Sequence, residues 1–576
     1  MMELTRPHRE AKATPSVLPR LHGEALIARA LLLAVVALLL VFLLAPLWAI
    51  LVNAVQDQDG HFVGLIHFRE YLETPSLVRS ALHSVGIACS VALISVPAAF
   101  MFAYALTRSC IPTPLKATLR LIALIPLLAP SLLSAISFVQ WFGNQGVLKS
   151  WLGDTSIYGV PGLILAEVYN TFPHALMILT TALSLADGRL YEAADALGTR
   201  AWRKFTTITL PSCKYGLISA CTVSFTYVIS DFGAPKVIGG NFNVLSIDVF
   251  KQVIGQQNFS MGAVVGLLLL IPSVISFGVD NVVRRKLKAQ LTARSVPYAP
   301  KPNRWTDTLL ALYGITIAGL LLAVVGMALY TSVIKLWPYN LSFTLDHYLF
   351  VLVESDMSAA YTNSLILATV TATAGSLMVF AGAYLSEKTR NIGLLRSTMH
   401  FLAVLSMAVP GLVLGLGYVV FFNMPGNPLG WLYQTMTIVI VSTIVHYYTS
   451  SHLTAVTALK QIDNEFEAVS ASLKVPFYKT FVRVTLPVCL PAVLDIARYY
   501  FVVSMATLSC VIFLYTPDTI VASVAIMHLD EAGQIGPAAA LACLIVITST
   551  LICIAYALFT RVLLKRTQAW RSLRRS

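Results

Sequence analysis

Several polar side chains interrupt the long apolar stretches of this 576-residue chain, and they are the first candidates for chemistry. They are Asn170, His174, Asp231, His446, Tyr447 and Arg498. Their spacing matches no nucleophile–base set, no pair of catalytic acids and no cluster of metal ligands, so the sequence does not predict an enzyme. Polar groups in apolar helices tend to face a cavity or a neighbouring helix. We therefore predict that they line a path for a solute, with interhelical hydrogen bonds as the alternative role.

Two further patterns exclude other chemistry. No G-x-x-x-x-G-K-[ST] sequence occurs, so the chain has no phosphate-cradling loop with which to hydrolyse ATP. The eight cysteines include no C-x-x-C pair, and most lie in apolar runs, which is typical of small core residues. We expect no metal and no cofactor bound by this chain.

The elements that position these residues are predicted to be membrane-spanning helices. The chain is 57% hydrophobic and 12% charged, with a mean hydropathy of +0.76. Apolar runs long enough to cross a bilayer recur throughout, and they predict an all-α integral membrane protein with about 12 transmembrane helices. The runs fall near residues 27–55, 80–107, 117–143, 157–186, 212–235, 259–283, 307–333, 362–386, 397–422, 433–458, 489–515 and 535–562.

The net charge of +13 is distributed in a way that indicates topology rather than nucleic-acid binding. Lys and Arg concentrate in alternate loops and at both termini, while the intervening loops lean acidic. This pattern predicts that both termini are cytoplasmic. The first apolar run is too long for a signal peptide, so we expect an uncleaved first span.

The chain is predicted to consist of two halves that repeat each other in parallel orientation. The expected divisions are a cytoplasmic tail (1–26), a first half (27–283), a cytoplasmic linker (284–306), a second half (307–562) and a basic tail (563–576). Paired residues recur at common spacings in the two halves, which indicates duplication. The pairs are Ser84 and Ser364, Tyr104 and Tyr384, Ala129-Pro130 and Val409-Pro410, and Leu210-Pro211 and Leu486-Pro487.

One cytoplasmic loop (187–211) has a specific pattern of residues. Asp187 can cap a short amphipathic helix, and Gly198 can supply the left-handed conformation that ends it. The fixed positions of the loop are Glu192, Ala193, Ala194, Gly198, Ile208, Leu210 and Pro211. This pattern resembles the EAA loop of permeases in binding-protein-dependent ABC importers. The resemblance implies that the helix docks on an ATPase, whereas amphipathicity alone would equally suit a helix resting on lipid headgroups.

The second half carries a degenerate copy of this loop (462–487). Leu473, Leu486 and Pro487 align with Leu197, Leu210 and Pro211, but Lys474 replaces the glycine, and Glu467 lies one residue before the first motif position. Because lysine adopts a positive φ less readily than glycine, this helix is expected to end differently. We predict a second, asymmetric coupling helix.

The resemblance covers nearly the whole chain and implies the partners. It implies an ABC ATPase subunit, two copies of which would bind ATP and Mg²⁺, a periplasmic solute-binding protein, and membrane lipid around the spans. The fused double permease resembles the branch of ABC importers that serves ferric iron, polyamines, thiamine and phosphonates, in the bacterial inner membrane.

Two stretches resemble permeases for 2-aminoethylphosphonate more closely, so that solute is our prediction and ferric iron, polyamine or thiamine the alternative. They are 231–240 with its continuation 251–257, and 511–519. A secondary transporter with about 12 helices is the rival class, because parallel six-helix halves also build it. The EAA-like loop would have no role in such a transporter.

Overall fold

The computed structural model describes residues 23–57, 59–289, 296, 298–389, 393–463, 465–473 and 475–567. Most of the two predicted terminal tails (1–26 and 563–576) lies outside these residues. Lys474, at the glycine position of the second loop, lies outside them as well. In the described part the chain is almost entirely helical, with one two-stranded antiparallel hairpin. The predicted all-α fold class is confirmed.

The first half contains fourteen α-helices among its described residues. They are α1 (Gly23–Leu39), α2 (Ala45–Asn53), α3 (Ile66–Glu73), α4 (Pro75–Arg108), α5 (Thr113–Ala123), α6 (Ser131–Phe142), α7 (Lys149–Leu152), α8 (Val160–Ser184), α9 (Gly188–Ala196), α10 (Ala201–Lys204), α11 (Leu210–Ser230), α12 (Gly233–Ile238), α13 (Leu245–Phe250) and α14 (Phe259–Ala289).

The second half repeats this order and adds the hairpin after its first helix. Its elements are α15 (Arg304–Ser332), β1 (Ile334–Leu336), β2 (Asn340–Phe343), α16 (Asp346–Val353), α17 (Ser355–Val370), α18 (Ser376–Lys388), α19 (Gly393–Leu405), α20 (Gly411–Phe422), α21 (Met436–His446), α22 (Tyr448–Lys460), α23 (Glu465–Ser472), α24 (Phe477–Thr480), α25 (Leu486–Ala506), α26 (Ala522–Glu531) and α27 (Ile535–Thr567).

Eight helical segments of the described chain are long and apolar enough to cross a membrane, and two bent helix pairs raise the number to ten. The two remaining predicted spans are present as helices that do not meet this test by themselves. The fifth is α11, and the tenth is divided at Tyr447 into α21 and α22. The structure is therefore consistent with about 12 spans.

The third and ninth predicted spans are sharply bent rather than straight. The bend is 103° between the segments before and after Pro130, and 111° at the equivalent Pro410. A proline lacks the backbone N–H of a helix and disfavours the helical conformation of the residue before it. Accordingly, Ala129 and Val409 are extended, with ψ of 141° and 114°. The repeated proline thus marks a repeated break.

The repeated serines, Ser84 and Ser364, make equivalent contacts in the two halves. The Ser84 hydroxyl accepts a hydrogen bond from the Leu245 N–H at 2.7 Å, and Ser364 accepts one from the Ala522 N–H at 2.8 Å. Each serine thereby ties a spanning helix to the start of a short helix, α13 or α26. This equivalence supports the predicted internal duplication.

The first helix of each half packs against the other half. Helices α1 and α2 pack on α18, α19 and α20, while α15 packs on α4, α5 and α6. The Tyr418 hydroxyl donates to the Phe42 carbonyl at 2.7 Å, and the Tyr313 hydroxyl donates to the Ala98 carbonyl at 2.8 Å. A Cβ on Gly417 would lie 2.9 Å from the Pro46 carbonyl oxygen, so a glycine is needed at this close helix contact.

Candidate coupling loops and translocation path

The first candidate coupling helix is α9, and both of its ends have the predicted geometry. The Asp187 side chain accepts a hydrogen bond from the Arg189 N–H at 3.1 Å. At the other end, Gly198 has a φ of +65°, and the Thr199 N–H donates to the Ala194 carbonyl at 2.9 Å. The chain can turn out of the helix here because glycine adopts positive φ without steric cost.

One side of α9 is buried against the protein, and the other side is open. Tyr191 and Ala194 are buried, whereas Leu190 and Leu197 are exposed at 52% and 83%. Glu192 and Ala193 are also exposed. The apolar residues of this amphipathic helix are therefore divided, since Ala194 faces the protein while Leu190, Ala193 and Leu197 remain available to a partner.

An arginine from α4 anchors the buried side of α9. The Arg108 guanidinium lies 4.8 Å from the ring centroid of Tyr191 and 4.2 Å from that of Tyr298, and it donates to the Leu183 carbonyl at 2.8 Å. The Tyr191 hydroxyl donates to Thr209 at 2.9 Å. The cation–π contacts and these hydrogen bonds hold α9 to the membrane-spanning part of the chain.

The linker between the halves (284–306) also contacts the first candidate coupling loop. The sequence analysis did not predict this contact. Lys301 Nζ lies 2.7 Å from one Asp195 carboxylate oxygen, and Lys204 Nζ lies 2.5 Å from the other. These hydrogen bonds, chiefly that from Lys204, lower the pKa of Asp195 to about 2. In addition, the Gly188 N–H donates to the Val296 carbonyl at 2.8 Å. The linker is thus a structural support for α9.

The second candidate coupling helix is α23, which occupies the equivalent place in the second half. Leu473 at its end is exposed at 70%, similarly to Leu197. Glu467 points inward instead, and its carboxylate lies 3.4 Å from Lys388 Nζ, with both side chains largely buried. In the aligned register, Glu467 takes the place of Tyr191 and Lys388 that of Arg108. An ion pair therefore anchors α23 where cation–π stacking anchors α9.

The remaining motif residues form the helical connection from each loop to the next span. Ile208 lies in a π-helical turn, Phe205–Thr209, and Leu210 and Pro211 begin α11. The same arrangement, a π-helical turn at Phe481–Thr485 followed by Leu486 and Pro487, begins α25. Proline is tolerated there because a helix start leaves its first N–H groups unbonded.

Five of the six candidate path residues cluster near the boundary between the two halves. Asn170 and His174 lie on one face of α8, where the Asn170 carbonyl is 3.3 Å from His174 Nδ1. The His174 ring centroid is 5.0 Å from that of Tyr227 on α11, and in the second half the Tyr447 ring centroid is 4.6 Å from that of His446. The cluster is thus a polar and aromatic region inside an otherwise apolar bundle.

The sixth residue, Arg498, lies elsewhere. Its guanidinium is 3.3 Å from Asp495, one turn earlier on α25, and both side chains are substantially exposed. The two residues are three positions apart, a spacing that places side chains side by side on one helix, so Arg498 forms an intrahelical ion pair. The structure does not bring Arg498 to the cluster at the boundary.

The sequence reasoning missed two residues of this cluster. Glu167 on α8 is fully buried beside Asp231, and the ring of Tyr227 on α11 lies 5.0 Å from that of His174. The signal for Glu167 was present, since an acid inside an apolar run is costly and usually functional. Asp231 ends α11 and accepts a hydrogen bond from the Ala234 N–H at 2.9 Å.

The face of the protein opposite α9 and α23, called here the outer face, carries an ion pair between the halves. Lys236 Nζ on α12 lies 2.7 Å from the Glu531 carboxylate on α26. Nearby, Lys251 Nζ lies 2.6 Å from the Asn243 side-chain oxygen. The ammonium groups of Lys236 and Lys251 therefore both have partners within the protein.

Two equivalent surface helices at the ends of two duplicated helical bundles are the architecture of an ABC importer permease. The chain belongs to the family described as binding-protein-dependent transport system inner membrane component, which it matches over residues 95–289 and 378–567. It is therefore a multi-pass membrane permease subunit of an ABC importer, and its relatives are transport subunits rather than enzymes.

Individual relatives include two ferric transport permeases. The chain is 25% identical over 545 residues to the ferric transport system permease protein FbpB of Actinobacillus pleuropneumoniae, covering 92% of this chain and 78% of the relative. It is 26% identical over 502 residues to the putative ferric transport system permease protein FbpB 1 of Haemophilus influenzae, covering 85% and 78%. A solved bacterial alginate ABC transporter in complex with its periplasmic protein matches with a TM-score of 0.40 and 16% identity, over 46% of this chain and 96% of the matched chain.

Proposed function

We propose that this permease subunit is driven by two copies of a separate ABC ATPase, one docked on α9 and one on α23. The observation that carries the proposal is the pair of exposed leucines, Leu197 and Leu473, at equivalent ends of two anchored helices. A single exposed apolar side chain needs no explanation by itself, so the support comes from the equivalent placement of the two leucines, each at the end of an anchored surface helix. In this proposal the binding sites for ATP and Mg²⁺ lie on the ATPase subunits and not on this chain.

The proposed orientation places α9, α23 and both termini in the cytoplasm of a bacterium, with the outer face in the periplasm. A solute-binding protein docks on the outer face, and closure of the ATPase dimer draws α9 and α23 together. Each coupling helix is connected through a short helix, α10 or α24, and a π-helical turn to a spanning helix, α11 or α25, so its displacement moves helices that meet at the boundary between the halves. Lipid surrounds the spans.

Replacing the exposed leucines tests the docking surface. The chain is purified from the native bacterium with the ATPase that accompanies it, as wild type, Leu197→Asp, Leu473→Asp and the double variant. Leu72→Asp is the matched control, because Leu72 is 71% exposed on α3, away from the coupling helices. We expect the double variant to lose the ATPase while the control retains it. Undiminished ATPase in the double variant would refute the docking surface.

The solute that we propose is 2-aminoethylphosphonate. The support is the resemblance of the two stretches 231–240 and 511–519 to permeases for that solute. In the fold both stretches lie at the boundary between the halves. Phe250, which directly precedes the continuation 251–257 of the first stretch, has its ring centroid 6.3 Å from that of Phe513 in the second stretch. Residues at such a boundary are positioned to contact a passing solute.

Ferric iron is the second candidate, and a different observation favours it. The relatives described above that align over most of the chain are ferric transport permeases. Their identity of 25–26% establishes common architecture but leaves room for a change of solute. Selectivity in these importers is expected to rest largely on the separate binding protein.

Uptake measurements in the native bacterium distinguish the two solutes. Labelled 2-aminoethylphosphonate and ferric iron are supplied in parallel to cells with the gene, without it, and with the gene restored. Loss and recovery of phosphonate uptake alone would support our proposal. Loss and recovery of iron uptake alone would refute it in favour of ferric import, and unchanged uptake of both would exclude both solutes.

A further inference from the structure

A crevice opens sideways from the boundary between the halves, and neither the coupling loops nor the polar cluster uses it. It lies between α6 of the first half and α15 and α27 of the second, and its volume is about 190 Å³. Its inner wall contains the buried residues Leu133, Val325 and Cys543. Leu329 and Leu551 at its rim are exposed at 43% and 62%. The crevice is therefore continuous with the outer surface of the helical bundle.

The crevice lies at the depth of the lipid hydrocarbon. Its lining on α27 extends from Cys543 to Leu551, about 12 Å at a helical rise of 1.5 Å per residue. Both residues lie in the central part of the membrane-spanning segment Ile535–Leu563. At this depth the medium outside the protein is the acyl chains of the bilayer and not water. The species that can reach the crevice from the side is therefore a lipid chain.

The lining suits a hydrocarbon and offers little to a polar ligand. Apart from Cys543 and Thr550, the lining residues are Leu, Val and Ile. A buried thiol behaves as a small apolar group, and the Thr550 hydroxyl donates to the Val546 carbonyl of its own helix at 2.7 Å. An apolar cavity of roughly 150 Å³ stays free of water yet takes up benzene. The larger crevice can accommodate a segment of acyl chain in the same way.

The internal duplication shows that the fold does not require this crevice. In the register of the repeated proline break, α20 corresponds to α6, and α2 and α14 correspond to the end of α15 and to α27. Val413, the counterpart of Leu133, is buried and would lie 3.8 Å from a Cβ on Gly266 of α14. Gly417 allows α20 to approach α2 closely, whereas the aligned residue of α6 is Ser137. The added side chain prevents the same close approach of α6 to α15.

A crevice that nothing filled would weaken the junction between the halves. Within a membrane the hydrophobic effect does not drive helices together, so their association depends on the packing of atoms. Side chains that face a void lose their dispersion contacts. A chain that enters the crevice restores these contacts on α6, α15 and α27 together.

We propose that one acyl chain of a membrane phospholipid binds in this crevice as a wedge between the two halves. The chain contacts α6, which packs against α8 and α12. Helix α8 carries Asn170 and His174 of the polar cluster, and α12 carries Lys236 of the ion pair on the outer face. The bound chain thus supports helices of both regions. This site does not depend on which solute the importer carries.

Photolabelling tests the site with a lipid probe. The full permease with its ATPase is purified and reconstituted into vesicles of phosphatidylethanolamine and phosphatidylglycerol, with a trace of phosphatidylethanolamine that carries a diazirine in the middle of one acyl chain. Mass spectrometry then locates the labelled residues. We expect label at Leu133 or Cys543, each 1% exposed and out of reach of lipid that only surrounds the protein. Label confined to exposed residues such as Leu551 would overturn the proposal.

A matched pair of tryptophan variants tests whether the label enters through the crevice. Ile547 lines the crevice, and Ile554 lies two turns further along α27 outside it, with exposures of 42% and 52%. Because an indole at the mouth blocks entry, Ile547→Trp should lose the inner-wall label, whereas Ile554→Trp should keep it. Unchanged label in Ile547→Trp, or equal loss in both variants, would overturn the proposal.

Two further measurements complete the test. Retention of the ATPase on purification shows that each variant is folded, and Val546→Phe, which fills the crevice from the same helix, takes the place of Ile547→Trp if that variant is not. Inner-wall label from an added photoreactive fatty acid but not from the phospholipid would refute the assignment to a phospholipid. Failure of this proposal would leave the solute uptake experiments unaffected.

Discussion

Replacing Gly198 by valine tests whether the left-handed end of α9 is needed for coupling. A Cβ at this position would meet no other atom within 4 Å, so the substitution introduces strain through the backbone alone. An L-residue at a φ of +65° costs roughly 1 to 2 kcal/mol, with β-branched residues at the high end. If that cost falls on the native helix end, its population drops by a factor of about 5 to 30.

The assay is ATP-driven uptake, at matched expression, of the solute that the deletion experiment identifies. Gly198→Val should reduce uptake about 5- to 30-fold while the protein still inserts, since no packing is disturbed. Gly198→Asn is the control, because asparagine tolerates this conformation and should retain most of the activity. Normal uptake by the valine variant would refute the reasoning. Equal loss in the asparagine variant would show that conformation is not the cause.

Three further predictions concern charges outside the spans. The double variant Lys236→Glu with Glu531→Lys exchanges the partners of the ion pair on the outer face, and it should restore part of the stability that each single substitution removes. Thermal unfolding of the wild type, the two single variants and the double variant should give a coupling energy of about 0.2–1 kcal/mol. If the double variant recovered no stability, the ion pair would not contribute to folding. Burial raises the pKa of Asp530 to about 6, so its contribution to stability is full below its ordinary value of 3.8 and is lost as the pH rises through 6. Asp530→Asn should therefore flatten the pH dependence of the melting temperature in that window, and an unchanged profile would count against it. Lys301→Ala should lower uptake because it removes a contact that holds α9. The loss should be the same at all pH values between about 5 and 8, because Asp195, with its pKa of about 2, stays charged throughout this range. Lys301→Arg keeps the positive charge, so the same loss in that variant would argue against a charge contact.

Much of the architecture could be predicted because membrane helices are constrained locally. Each span must satisfy its own backbone and present apolar side chains for some 20 residues, so hydropathy alone locates it. The cap at Asp187 and the left-handed turn at Gly198 are local as well, and both were predicted correctly. The spacing of repeated residues identified the duplication for the same reason.

Other features depend on residues that are distant in sequence. The spans that contain Pro130 and Pro410 were each predicted as one apolar run, yet both bend by more than 100°. The prolines indicated where a break could occur, but tertiary packing decided its size. The first helix of each half packs against the other half, and no pattern in the neighbouring sequence predicted this packing.

The sequence by itself determined that this chain is a duplicated membrane protein with a motif-bearing loop in its first half and a degenerate copy in its second, since periodicity, charge asymmetry and a spaced motif are local properties. Only the tertiary structure decided that Lys301 supports α9, that Glu467 pairs with Lys388 rather than facing outward, and that Glu167 lies against Asp231. Each of these is a contact between distant segments. A charge needs its partner within a few ångströms, and which segments come that close is set by the packing of the whole bundle.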